Sequence, residues 1–374
     1  MHTKAKFLIC LIFCILFFNG CKPKAKENAQ KKSHVKNVIL LIGDGMGVSQ
    51  ISTAFYFNDG ISNFKRFNNI GFIRTSSASH LITDSAAGAT AFSTGKKTYN
   101  GAIGMNIDSL PQKNIVEVLS KKNLNTGLIA TSSITHATPA SFFAHVKSRE
   151  LPEDIATWLP ISDIDYFAAG GLKYFNKRKD SIDYLKRMRD NGFIISLDSK
   201  DLKENLQDKK KYGFLLAEDG MPKMSEGRGD FLISATDQAL SLLSNKNKGF
   251  FLMIEGSQID WGGHNNDADY IINEVKDFDN TIGKVLDFAE KDGNTLVVIV
   301  ADHETGGFTL ASSQKKDENN KLINDYNNIK PSFSTKGHSA TLIPVFAFGP
   351  KSDNFRGVYE NSEIYEKILN SLNN

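Results

Sequence analysis

"VKNVILLIGDGMG" (residues 35–47) decides the fold. Its apolar residues run without the alternation of a half-solvated strand, so a strand built from them is covered on both faces. Runs of that kind belong to parallel sheets with helices packed on each side. The stretch then stops at Gly43-Asp44-Gly45, which leaves a carboxylate just past the strand. Similar runs recur as "NTGLIATSSI" from Asn125, "KGFFLMIEGS" from Lys248, "NTLVVIVADHETGG" from Asn294 and "LIPVFAFGP" from Leu342. Between them lie helical patterns such as "NIVEVLSKKN" and "IINEVKDFDNTIGKVLDFAEKDG". The alternation predicts an α/β fold, a sheet with helices on both faces. The chain of 374 residues is long enough for one large core.

The net charge of +3 is unevenly placed. Eight of the 45 lysines and arginines, and only Glu27 of the 42 acids, fall within residues 1–36. The remaining body carries 37 bases against 41 acids and has no basic stripe, which argues against nucleic acid as a structural partner. The N-terminus reads as export. Lys4 and Lys6 precede the twelve apolar residues Phe7 to Phe18, too few to cross a bilayer, which takes ~20, but suited to a signal peptide. Gly20-Cys21 resembles a bacterial lipoprotein cleavage site, so residues 1–20 are expected as leader and 21–36 as a Lys-rich tether. Membrane contact is expected only through a lipid on Cys21, with the protein periplasmic or at the cell envelope. Cys10, Cys14 and Cys21 are the only cysteines, so any metal in the body is held by His and carboxylates.

Residues 37–374 read as a single domain. Within it, residues 150–247 are polar and are expected as an insertion with a strand or two, including a helical "KYFNKRKDSIDYLKRMRDNG". Residues 305–336 are expected as a short rim, irregular over Ser312 to Thr335.

The polar residues fall where such a sheet places ligands. Asp44, Glu255 and Asp302-His303 each leave an apolar run, Asp260 and His264 follow Glu255, and His338 precedes the last run. In open parallel sheets the carboxyl ends of the strands share one edge, and ligands bind there. Carboxylates crowded together raise one another's pKa, and cations relieve that. Carboxylate and imidazole suit zinc, and an oxygen-rich corner suits magnesium. His2, His34, His80 and His145 read as surface or core histidines. In "HLITDSAAGATAFSTG" (residues 80–95), Thr83, Asp84 or Ser85 can cap a small-residue helix, or Ser85 can be a nucleophile at its start. The stretch leaves both open.

Taken in order, "LIGDGMG", "TDSAAGATA", "THATPASFFAHVKSR", "IEGSQIDWGGHNN", "VADHETGGF" and "TKGHSAT" resemble the alkaline phosphatase family, from Asn37 to about Pro350. The resemblance implies a three-layer α/β/α sandwich with a large, mostly parallel sheet, hydrolysing small phosphomonoesters, with a homodimer among its assemblies. It implies one zinc on Asp260, His264 and His338, and a second on Asp44, Asp302 and His303 with Ser85 as fourth ligand. A third, magnesium-like site would use Asp44, Thr138 and Glu255. Ser85 would be the nucleophile and Arg149 the phosphate clamp. His136 stands beside the third site where one bacterial form has aspartate, which weakens a preference for magnesium and can admit zinc there, and Trp261 stands where that form has lysine. Sulfatase relatives need a Cys or Ser in a C/S-x-P-x-R setting, which Ser85-Ala86-Ala87 lacks. Thr138-Pro139 also reads as a helix cap with a first-turn proline. A straight helix from Pro139 would carry Arg149 ~15 Å away from Thr138, so the clamp requires the chain to bend back.

Overall fold

A computed structural model describes residues 34–373 except Asp59, Lys209 and 245–247; the leader and most of the tether, Cys21 included, lie outside the described residues. The strands are β1 (Asn37–Gly43), β2 (Asn69–Arg74), β3 (Asn125–Ser133), β4 (Tyr166–Gly170), β5 (Phe193–Ser196), β6 (Lys211–Leu215) and β7 (Phe250–Gly256). They continue with β8 (Thr295–Val300), β9 (Glu304–Thr305), β10 (Thr309–Lys316), β11 (Leu322–Ser332), β12 (His338–Ser339), β13 (Ile343–Phe348) and β14 (Gly357–Glu360). Ten of them form one sheet in the order β14-β2-β13-β8-β1-β7-β3-β4-β6-β5. Strands β1, β3, β7 and β8 are buried along their whole length, as unbroken apolar runs require. The fold is the three-layer α/β architecture with a large, mostly parallel central sheet. Among the described residues no helix is long and apolar enough to cross a membrane.

The helices that bear on the site are α1 (Val48–Tyr56), α2 (Ser85–Thr94), α3 (Ala137–Ala140), α4 (Gln258–Asn265) and α5 (Ala268–Asp292). Helix α2 is buried at every position, which its Ala, Gly, Ser and Thr content permits without a wide apolar stripe.

Three segments differ from what their local pattern predicts. The run "LIPVFAFGP" becomes β13, which is antiparallel to both β8 and β2. After β8 the chain stays at the carboxyl edge of the sheet, and a parallel return needs a crossover of a dozen or more residues to the opposite edge. The chain therefore enters β13 from the edge it never left. That is why His338, just ahead of β13, lies level with residues that follow parallel strands.

Residues 150–247 supply three strands, β4, β5 and β6, all parallel, which extend the central sheet. Their helical stretch breaks into Lys173–Asn176 and Tyr184–Asp190. Ser181 adopts a left-handed φ of 59° and Asp183 caps the second piece by accepting from Lys186 N. Asp side chains compete for backbone donors, and here Asp180 takes Ile182 N and Asp183 takes Lys186 N in place of a continuous helix.

The rim is an ordered hairpin. Strands β10 and β11 pair antiparallel, with a register shift between Ser312 and Ser313. Its side chains are largely exposed, so no apolar alternation marks it as strand. The hairpin closes on Gly306, whose N–H donates to Gly337 O and whose carbonyl accepts from Ser334 N. The return pairs β12 with β9, setting His338 opposite Thr305.

Candidate active site

Helix α2 begins at Ser85 and its N-cap is Asp84, whose Oδ1 accepts from Ala87 N at 3.0 Å. Such a cap contributes about 1 kcal/mol. Because Asp84 takes that role, the buried Ser85 hydroxyl is free of it, and Oγ lies 3.2 Å from His303 Nε2. The other Asp84 oxygen accepts from Gly101 N at 3.0 Å and from Arg149 Nη1 at 3.2 Å. One carboxylate thus orients both the helix carrying Ser85 and the guanidinium beside it. Gly88 lets α2 approach the sheet, since a Cβ there would lie 2.9 Å from Asp302 Cβ.

Arg149 does come back. Helix α3 stops after one turn, the chain turns through Phe142 and Phe143, and Ile103 and Val146 form an antiparallel bridge. Arg149 N then donates to Gly101 O at 2.8 Å, and Nη2 lies 3.2 Å from His136 Nε2. The N-cap position of α3 is His136, with no side-chain cap bond. Thr138 therefore does not cap, and its hydroxyl is left for other use.

The carboxylates collect by register. Ile42 of β1 is aligned with Glu255 of β7 and with Val300 of β8, so Asp44, Glu255 and Asp302 emerge side by side. Gly45, at φ 71°, makes the turn after Asp44 where a Cβ would come within 2.7 Å of Asp260 Cα. Three clusters result, each with its ligand atoms within 4.8 Å of one another: Asp260, His264 and His338; Asp44, Asp260 and His303; and Asp44, His136 and Glu255. The family resemblance assigns Asp260 to the first group alone, whereas here it also reaches the second. Asp302 faces that second group, its Oδ2 3.3 Å from His303 Nε2.

Electrostatics without cations are unfavourable. Burial pushes Asp44 well above the usual carboxylate range, and Asp302, Asp260 and Glu255 push it further. Burial raises Glu255 to about 7 against the pull of the Ser257 hydroxyl, and raises Asp302 as well. Two like charges ~4 Å apart repel by roughly 4 kcal/mol at an effective dielectric of ~20. Asp44 Oδ1 and Oδ2, His136 Nδ1, Thr138 Oγ1, Glu255 Oε1 and Asp302 Oδ2 are all buried without a hydrogen-bond partner. Buried polar atoms are ordinarily satisfied; unpartnered ones also occur singly elsewhere, as at Thr98 and Asn114, but here six atoms of five residues share one edge.

The histidines carry the same signal. His264 Nδ1 lies 2.5 Å from Lys336 O and His338 Nδ1 lies 2.8 Å from Thr83 O. A carbonyl only accepts, so both rings carry their proton on Nδ1. Their Nε2 atoms turn inward, 3.2 Å apart and 3.4 and 3.7 Å from the Asp260 carboxylate. Burial drives His303 well below the ordinary imidazole range and His136 down to about 3, keeping both neutral. A cation lodged among the carboxylate oxygens and inward-facing imidazole nitrogens relieves their crowding, and the donor set fits zinc at the nitrogen-rich end and magnesium at the oxygen-rich end.

The predicted residues Asp44, Ser85, His136, Thr138, Arg149, Glu255, Asp260, His264, Asp302, His303 and His338 are therefore brought to one edge. Trp261 lies beside them, its ring 6.1 Å from that of His136 and near edge-on. His145 is a satisfied core histidine between Gly104 O and Glu117, and His80 is exposed. Two supporting residues are not legible in the sequence. Asp84 reads there as a cap only, without its hold on Arg149. Thr305, which touches both Asp260 and His303, has no signal beyond sitting two residues after His303.

Comparison with known proteins bears on this edge. The family model described as alkaline phosphatase matches residues 35–328. Alkaline phosphatase 3 of Bacillus subtilis (strain 168) is 33% identical, covering 95% of this chain and 93% of its own length. The structure of alkaline phosphatase from the Antarctic bacterium TAB5 is 54% identical, with a TM-score of 0.86, over 91% of this chain and 99% of that one. A variant of that enzyme with a histidine changed to aspartate, with Mg bound in its M3 site, is 55% identical over the same shares, with a TM-score of 0.87. A ten-stranded sheet with these carboxylates and imidazoles at one edge, matched along nearly its whole length by phosphomonoesterases, belongs to the alkaline phosphatase family.

Proposed function

We propose that the chain hydrolyses phosphate monoesters by passing the phosphoryl group first to Ser85 and then to water, at a site for two zinc ions and a third, magnesium-like ion. Asp260, His264 and His338 would hold one zinc, and Asp44, Asp302 and His303 with Ser85 the second. Asp44, Thr138 and Glu255 would hold the third ion, with His136 beside it. When bound, the cations supply Lewis acidity, lowering hydroxyl and water pKa values and neutralising charge on the attacking and leaving oxygens. The observation that carries this reading is the set of unpartnered buried atoms around Asp44 and beside the Ser85 hydroxyl.

The side chains do the rest. Ser85 presents Oγ at the first position of α2, where the helix dipole favours both the alkoxide and an incoming phosphate. Its hydroxyl loses its proton to solvent and the oxygen bonds to phosphorus as the ester P–O bond breaks, while the released alkoxide takes a proton from water and leaves as the alcohol. Arg149, aimed by Asp84, forks two non-bridging oxygens. A monoester keeps three such oxygens and a diester two, which favours monoesters. Water then attacks the phosphoserine, the P–Oγ bond breaks, and phosphate leaves with Ser85 restored. Magnesium in the M3 site of the TAB5 variant, where aspartate replaces a histidine, supports reading His136 as a residue that weakens, without abolishing, the third site's preference for magnesium.

Elemental analysis of purified protein is expected to find two zinc ions per chain. Exhaustive chelation is expected to lower hydrolysis of a nitrophenyl monoester by at least ~100-fold, with zinc and magnesium restoring it. Activity indifferent to chelation would overturn the reading.

We also propose that the protein is held at the cell envelope by a lipid on Cys21. The basic-apolar leader and the Gly20-Cys21 junction support this. The unaltered chain is expected to sediment with membranes and Cys21→Ala to stay soluble; sedimentation of both would remove the anchor.

A further inference from the structure

Three histidines face the zinc groups, and each serves only if Nδ1 holds the proton and Nε2 is bare. For His264 and His338 a main-chain carbonyl sets this. For His303 the partner is a side chain: Nδ1 lies 3.1 Å from Thr305 Oγ1. A threonine hydroxyl has one proton. Here it is committed, because Oγ1 lies 2.5 Å from Asp260 Oδ1 and a carboxylate that holds zinc, as in the reading above, only accepts. Oγ1 can then only accept from His303, which puts the imidazole proton on Nδ1. Nε2 is left bare toward Ser85 Oγ at 3.2 Å, Asp302 Oδ2 at 3.3 Å and Asp44 Oδ1 at 3.6 Å.

Thr305 is itself held on all sides. It is buried, its N–H donates to Gly45 O at 3.1 Å, and its carbonyl accepts from Gln50 Nε2 at 2.8 Å. In the β9–β12 pair it lies opposite His338. The hydroxyl therefore has little freedom to choose other partners.

We propose that Thr305 is a positioning residue whose hydroxyl fixes the tautomer of His303 and ties that ring to Asp260, so that one side chain sets the geometry of both zinc groups. The proposal rests on the zinc reading above. Partners behind a metal ligand typically alter affinity 10–100-fold when removed. Thr305→Val keeps the shape and deletes the hydroxyl, leaving Asp260 Oδ1 and His303 Nδ1 without it. Thr305→Ser keeps it.

The test follows zinc loss from each holoprotein to a chromophoric chelator, with the kcat and KM of a nitrophenyl monoester beside it. Thr305→Val is expected to lose zinc ~10–100-fold faster and to fall in kcat more than it rises in KM, with Thr305→Ser within ~3-fold of the unaltered chain. Equal zinc loss from Thr305→Val and the unaltered chain would overturn the inference. An unaltered chain that carries no zinc would instead overturn the zinc reading. Should Thr305→Val not fold, the ¹⁵N-histidine spectrum of the zinc-loaded unaltered chain decides. Protonated Nδ1 at His303 is expected, and an Nε2–H there would overturn the proposal.

Discussion

Ser85→Ala is expected to lower monoester turnover by ~10³-fold or more and to abolish the acid-trapped phosphoenzyme, while zinc stays bound. The variant should fold normally, because the helix cap is Asp84 and not Ser85. Alanine is also a better helix former than serine. Zinc should stay because the surrounding donors are untouched, with Ser85 only the fourth of one group. Loss of turnover can then be assigned to the missing nucleophile and not to a collapsed site. Phosphate transfer at the normal rate in this variant would reduce Ser85 to a buried, non-reacting residue.

Asp44→Asn is expected to have an effect of similar size through a different cause. Both Asp44 oxygens are buried and unpartnered, and the carboxylate joins two of the three clusters. The change keeps the shape and removes one charge, so binding at the second and third groups should weaken together, with kcat falling ~10³-fold. Stability supplies an independent reading. In the metal-free protein, Asp44, Asp302 and Glu255 have folded-state pKa values above their unfolded ones, Glu255 at about 7. Groups shifted this way stabilise fully only below their unfolded pKa, and that contribution is lost as pH rises through the folded value. The chelated wild-type protein is therefore expected to lose thermal stability from about pH 4 toward pH 7 and above. Chelated Asp44→Asn, carrying one fewer charge, should be the more stable of the two at pH 8, while the zinc-loaded order is reversed. The same order with and without zinc would show that Asp44 does not face the cations.

Much of the site is legible in the amino-acid sequence. Asp44, Glu255 and Asp302 stand out because an apolar run ending in an acid means a strand exit, and parallel strands exit at one edge. Thr83, Asp84 and Ser85 cannot be told apart as caps, since all three types accept from the helix amides. Asp84 takes the role because its second oxygen also meets Gly101 and Arg149, contacts that local pattern does not record. The hairpin β10–β11 leaves no strand signature because both its faces are largely solvated and polar.

Local pattern is thus enough for the α/β class, for the strands that bear acids and for the chemical kind of ligand, because periodicity reports which residues are buried and residue type reports what they can hold. Long-range packing decides the rest. The direction of β13, the return of Arg149, the sharing of Asp260 between two groups and the tautomer of His303 depend on bonds between residues up to hundreds of positions apart. Hydrogen-bond partners at that separation leave no periodic trace, and only the closed sheet with its hairpin brings them within reach.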